Sequence, residues 1–163
     1  MRLLSAVVVA VSFFVFHPAQ SVSAASLNEF VLTANVGDVP MLGVEVSIGM
    51  DEHSRLRAGL PIGIRQGATG LAPAMWGRAL YLYNVNPRDP FSLYGGVGLT
   101  ASLGGAPQPG MPNPFVEFPV GFQWRTGGAV YVLGELRMGI VPGGAGHALE
   151  VVSFVGGVSV PLG

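Results

Sequence analysis

The sequence predicts an all-β chain in which eight antiparallel strands close into an up-and-down barrel. Three observations predict it. Apolar and polar residues alternate with a period of two through most segments between turn clusters, the pattern of a strand with one apolar and one polar face. Clusters of Gly, Pro, Asn and Asp separate these segments and mark hairpin turns. No helical periodicity of useful length occurs after the N-terminal stretch. An even number of hairpin-connected strands can close on itself and leave no unpaired edge.

Residues 1–24 stand apart. Arg2 supplies a short positive region, residues 3–16 an apolar core, and residues 17–24 a more polar segment ending Val22-Ser23-Ala24. This is the build of a secretory signal peptide, with cleavage expected after Ala24 or after Ala25. The apolar run falls short of the ~20 residues of a spanning helix, and Pro18 interrupts it. Residues 25–163 are then a single β domain, with seven arginines against nine acids.

The elements follow in order. The first strand is expected over residues 28–36, with Phe30, Leu32, Ala34 and Val36 on one face and a Gly37-Asp38-Val39-Pro40 turn behind it. The second, over 41–50, sets Leu42, Val44, Val46, Ile48 and Met50 against Gly43, Glu45, Ser47 and Gly49. A polar turn, 51–54, leads to a third strand over 55–65. There Leu56, Ala58, Leu60, Ile62 and Ile64 oppose Arg55, Arg57, Gly59, Pro61, Gly63 and Arg65. Residues 66–75 read as a Gly/Ala/Pro loop. The fourth strand, 76–85, takes its register from Arg78: with Arg78 on the polar face, Ala79, Tyr81, Tyr83 and Val85 take the other. After the turn at 86–90, the fifth strand, 91–103, alternates Phe91, Leu93, Val97 and Leu99 with Ser92, Tyr94, Gly96 and Gly98. A second Gly/Pro loop spans 104–113.

The sixth and seventh strands carry the clearest alternation in the chain. Val116, Phe118, Val120, Phe122 and Trp124 face away from Glu117, Pro119, Gly121, Gln123 and Arg125. Beyond a Thr126-Gly127-Gly128 turn, Val132, Leu136, Met138 and Ile140 face away from Tyr131, Glu135, Arg137 and Gly139. A third loop, 142–147, precedes an eighth strand over 148–162. Its alternation is blurred because Glu150 shares parity with Val152, Phe154, Val158 and Val160.

Strands of this length, tilted by ~40°, match the ~25 Å apolar band of an outer-membrane barrel. Only 10% of residues are charged and 25 are glycine, too few charges for a soluble surface of roughly 25–35%. The apolar face is therefore expected to meet lipid and the polar face to line the lumen. An eight-stranded lumen is just wide enough for side chains to fill. Glu45, Arg57, Arg78, Glu117, Arg125, Glu135 and Arg137 are expected to form a luminal charge network, with the glycines making room. All the non-histidine basic residues are arginine, whose planar fork suits buried carboxylates. Phe30, Tyr83, Phe91 and Trp124 are expected to form an aromatic girdle at one rim, and Trp76 and Phe115 at the other, in keeping with the interfacial preference of aromatic rings.

The leader, the GFQWRTGGAVYVLGELRMG stretch and the C-terminus together resemble the small eight-stranded outer-membrane barrels of the OmpA/OmpX type. The resemblance covers residues 25–163 in pattern, without a diagnostic motif. It implies a place in the outer membrane of a diderm bacterium, with lipid and the barrel-assembly machinery as partners and a monomeric state. Such proteins end in a glycine followed by alternating hydrophobics and a terminal aromatic. Here Gly157-Val158-Ser159-Val160-Pro161-Leu162 supplies the glycine and the alternation, but lacks the aromatic and adds Gly163.

Other functions find little footing. The chain has no cysteine, which removes disulfides, thiolate metal sites and a cysteine nucleophile. A formal charge of −1 without a basic patch gives no basis for binding nucleic acid. His53 beside Ser54, and His147 three residues before Glu150, do not form a His/Ser/acid set. Two isolated histidines also argue against zinc, and no cofactor is expected. The sequence thus supports a non-enzymatic integral barrel with a structural or surface-interaction role. The alternatives are a small transporter or channel for small or apolar solutes, and a secreted soluble barrel binding an apolar ligand.

Overall fold

The structure, a computed structural model, describes residues 28–36, 40–67, 70–103, 114–140 and 149–162. These form β1 (Glu29–Val36), β2 (Met41–Gly49), β3 (Ser54–Gly67), β4 (Gly70–Asn84), β5 (Phe91–Ser102), β6 (Phe115–Arg125), β7 (Tyr131–Ile140) and β8 (Leu149–Pro161). Each strand pairs antiparallel with the next, and β8 pairs with β1 through a register running from Glu29↔Pro161 to Val36↔Phe154. The result is a closed barrel. The predicted signal peptide of residues 1–24 and its cleavage point at Ala24 or Ala25 lie outside the described residues, as does His147.

The barrel is turned inside out relative to a soluble protein. Leu42, Val44, Val46 and Ile48 on β2, Leu56, Leu60, Ile62 and Ile64 on β3, and Leu93, Val97 and Leu99 on β5 are all exposed, Leu42 by 64%. Their neighbours Glu45, Ser47, Arg57, Ser92 and Glu117 are buried in the lumen. A soluble barrel enclosing an apolar ligand requires the reverse arrangement, so that expectation is corrected: the apolar face is the outer surface. Pro61 and Pro119, fully buried, fall at gaps in the β3–β4 and β5–β6 pairing, because proline has no N–H to donate to a ladder.

Two elements depart from the sequence reading. The loop assigned to residues 66–75 is mostly strand: β3 runs to Gly67, β4 begins at Gly70, and pairs from Gly67↔Gly70 to Ile62↔Met75 extend the hairpin. Pro73 is accommodated because β4 gains its β5 partner only from Trp76 onward, leaving the side of β4 that lacks this N–H without a ladder to disrupt. The connection after β3 is consequently short. In β8, Ile140 pairs with Leu149 but Gly139 with Val151, a register shift that leaves Glu150 as the extra residue of a bulge. One inserted residue reverses side-chain parity, which accounts for the blurred alternation.

Trp76 and Phe115 are also corrected. Both were expected in an outer aromatic girdle, yet Trp76 is 2% and Phe115 3% exposed, inside the barrel. They share parity with Arg78 and Glu117, and a strand holds all residues of one parity on one face. At the other rim Tyr83, Phe91 and Trp124 are exposed and Phe30 is half-buried. Phe91 stacks on Phe122 at 5.4 Å and His53 on Tyr83 at 5.5 Å.

Candidate functional site in the barrel lumen

Inward parity brings Glu45 (β2), Arg57 (β3), Arg78 (β4), Glu117 (β6), and Glu135 and Arg137 (β7) together in mid-lumen, all buried. Arg57 Nη1 pairs with Glu135 Oε1 across the barrel. Arg137 holds the same carboxylate through Nη2 at 2.5 Å and Nε at 2.6 Å. The Tyr94 hydroxyl donates to Glu135 Oε1 at 2.6 Å, and the Arg57 guanidinium lies 5.6 Å from the Tyr94 ring centroid. Arg78 reaches Glu45 Oε1 at 3.0 Å and Glu117 at 3.1 and 3.2 Å, and donates to Thr100 Oγ1 at 3.2 Å. Two contacts are looser: Arg57 Nε to Glu45 Oε2 at 3.9 Å and Arg137 Nη2 to Glu45 Oε1 at 3.8 Å.

Three guanidiniums thus oppose three carboxylates and the cluster is formally neutral. Desolvating an ion costs several kcal/mol unless it is paired, and each carboxylate here meets at least one guanidinium. Nothing in the cluster presents a nucleophile next to a free base. What the arrangement does is brace facing walls of the barrel.

A second polar cluster occupies the turn end, the end that carries the β2–β3, β4–β5 and β6–β7 turns. Arg55 Nη1 reaches Glu29 Oε1 at 3.2 Å and Gln123 Oε1 at 3.0 Å. Gln123 Nε2 donates to both Glu29 oxygens, at 3.2 and 3.1 Å, and to Ser159 Oγ at 3.0 Å. Asn84, with its amide oxygen turned to Arg55, accepts from Nε at 3.0 Å and Nη2 at 2.6 Å. An open pocket lined by Glu29, Arg55, Ser92, Gln123, Arg125 and Tyr131 gives about 40 Å³ of room for water here.

At the opposite end the buried side chains among the described residues are mostly apolar, with the buried Asn35 amide oxygen, in the same row as Met41, as a polar exception. Met41, Ala74 and Trp76 pack together, all buried, and Phe115 is paired with Thr100 directly above Arg78. The packing closes onto Gly63, where a Cβ would sit 2.8 Å from Met41 Cγ and 3.3 Å from Trp76.

Of the residues expected in the luminal network, Glu45, Arg57, Arg78, Glu117, Glu135 and Arg137 are brought together. Arg125 is not: it sits at the turn-end pocket, with Nη2 on the Tyr131 hydroxyl at 2.9 Å. Sequence reasoning missed Tyr94, Thr100, Arg55, Glu29 and Gln123 as members of these networks. Parity with Glu117 or Arg57 was the available signal for Gln123 and Arg55. For Glu29 the signal lay in opposite parity to Phe30. Among the described residues no group of three or more His, Asp or Glu is placed to hold a metal ion.

No protein-family model matches the chain, and no curated protein matches its sequence. Solved structures do match its fold. A crystal structure of Neisserial surface protein A (NspA) superposes with a TM-score of 0.55 at 12% identity, over 88% of this chain and all of that one. A transmembrane β-barrel designed de novo superposes with a TM-score of 0.53 at 10% identity, over the same shares. At such identities the likeness concerns the fold: a closed barrel of eight antiparallel strands, as in transmembrane β-barrels.

Proposed function

We propose that this chain is an integral outer-membrane barrel that is exported by its N-terminal signal peptide, stands as a monomer in lipid, and serves as a non-conducting structural or surface-interaction element of the cell envelope. The observation that carries the reading is the inversion of the barrel. An exposed apolar wall surrounds buried ion pairs, an arrangement that is stable where the outer solvent is lipid. Packing at one end of the lumen argues against the channel alternative, since Met41, Ala74 and Trp76 form a buried apolar cluster there and Phe115 is buried as well. Residues 25–163 would be inserted by the barrel-assembly machinery, with the β2–β3, β4–β5 and β6–β7 turns on the periplasmic side.

Fractionation tests this. The expressed chain is expected to sediment with outer membranes, to require detergent for extraction, and to migrate faster on gels unheated than boiled. A protein that is soluble without detergent would overturn the reading.

A further inference from the structure

The lumen contains polar atoms that the protein leaves unsatisfied. Ser92 Oγ and Ser47 Oγ, on residues 6% and 0% exposed, have no hydrogen-bond partner, nor do Arg57 Nε, Arg137 Nη1 and Glu45 Oε2. Such groups are costly to bury unless something bonds them. Their positions form a path. Ser92 lines the turn-end pocket and precedes Tyr94 on the same inward face, whose hydroxyl bonds Glu135. Ser47 lies in one cross-strand row between Glu29 of the turn-end cluster and Arg57 of the central one. The Arg57–Glu45 and Arg137–Glu45 separations of 3.9 and 3.8 Å are ion-pair distances that a bridging water would complete.

Donors and acceptors are mixed along this path, which fits water better than an ion of either sign. The pocket at its mouth, with about 40 Å³, holds a few waters at the ~10–15 Å³ each requires. Beyond the central cluster the character changes: Met41, Ala74 and Trp76 are packed, Phe115 is buried, and these four offer no polar side-chain partner apart from the Trp76 indole N–H, while a further unsatisfied atom, Asn35 Oδ1, lies in the Met41 row toward the rim opposite the pocket.

We infer that the lumen is a blind, hydrated vestibule: water and solutes of its size enter at the turn end, reach the central arginine–glutamate cluster, and are stopped by the apolar plug around Trp76. This rests on the membrane-barrel reading above and adds a direction to it. The central carboxylates exchange with one side of the membrane only.

The absence of native cysteine makes the test direct. Single-cysteine variants Ser92→Cys, Ser47→Cys, Ala74→Cys and Arg88→Cys, the last in an exposed turn, are folded into lipid vesicles and checked for heat-modifiable migration. A bulky impermeant maleimide on Arg88→Cys reports the fraction of barrels with the turn end outward. Silver ion, a thiol-binding cation small enough to follow water, is then added outside, removed, and the remaining thiols are counted after unfolding. Protection of Ser92→Cys and Ser47→Cys is expected in the Arg88→Cys fraction, with Ala74→Cys unprotected from that side. Silver trapped inside is expected to protect the two serine-site variants only in barrels of the opposite orientation. No protection at either serine position, or protection from both sides, overturns the vestibule. Failure of the unaltered chain to enter vesicles overturns the membrane reading instead.

Discussion

At the scale of single residues, luminal glycines are holes into which neighbouring side chains fit. A Cβ on Gly121 would lie 2.9 Å from Glu135 Cγ and 3.0 Å from Tyr94 Cζ, jammed against the Gly134 carbonyl. A Cβ on Gly156, on the outer face, would meet nothing within 4 Å. Overpacking a tight site costs roughly 1–3 kcal/mol, so Gly121→Ala is expected to lower unfolding free energy by about that much. Gly156→Ala is expected to be neutral or slightly stabilising through reduced freedom of the unfolded chain. Urea titration in lipid vesicles compares them; equal effects would sink the inward and outward assignments. Parity was legible in the sequence wherever one face carries charge, as at Glu45, Arg57, Glu117 and Arg137. Trp76 and Phe115 mislead because a large aromatic near a strand end resembles a girdle residue, and only its parity with a buried charge says otherwise. Leu80 and Leu82 share the inward face of Arg78 and are fully buried, so β4 is apolar on both sides and its alternation carries almost no information.

At the scale of elements, strands announce themselves by alternation and are lost where Gly, Ala and Pro dilute it. The β3–β4 hairpin is built from such residues at its far end, and its extra pairs from Ile62↔Met75 to Gly67↔Gly70 therefore carry the composition of a loop. The Glu150 bulge was illegible for a different reason: an inserted residue is visible only against its partner strand. Turns were more readable, and the β2–β3 turn shows why. Asp51 Oδ1 accepts the backbone N–H of His53 at 2.8 Å and of Ser54 at 2.7 Å, an Asx-type turn. The bond from Ser54, and then that from His53, holds the Asp51 carboxyl below its ordinary value of 3.8. A carboxylate whose folded pKa is depressed contributes stability above its unfolded pKa and loses it as pH falls through the folded one. Asp51→Ala is thus expected to destabilise the barrel at neutral pH, with the difference from the unaltered chain shrinking as the pH falls through the lowered carboxyl value. Paired denaturation curves at neutral and at strongly acid pH measure this. A gap that persists in acid would show that the ionised carboxylate is not what holds the turn.

At the scale of the whole molecule, the closed sheet supplies the ladder and the lumen supplies the cross-braces. Arg57 on β3 meets Glu135 on β7, opposite it in the closed strand order, and Arg78 on β4 meets Glu117 on β6 across the intervening β5, so strands that share no ladder are tied through the interior. The architecture was legible because the period-two pattern and the turn spacing are global features; which arginine meets which glutamate was not, since it depends on strand tilt and register around the closure. The energetics of these braces differ from those of a surface pair. Removing one partner of a buried pair leaves an uncompensated charge and costs about 3–5 kcal/mol, whereas an exposed pair is worth about 0.2–1 kcal/mol. Glu135→Gln should show the larger cost, because both Arg57 and Arg137 lose their carboxylate. In a double-mutant cycle, Arg57→Gln with Glu135→Gln is expected to be less damaging than the sum of the two, with a coupling of about 0.5–3 kcal/mol. The exposed Arg88–Glu52 pair, at 2.6 Å between the turns, provides the contrast and is expected to couple by less than about 1 kcal/mol. Comparable couplings at the two sites would mean that the lumen screens charge as the open surface does. That result would remove the brace from the account of what holds this barrel together, and leave the strand ladder and the outward apolar wall to do so alone.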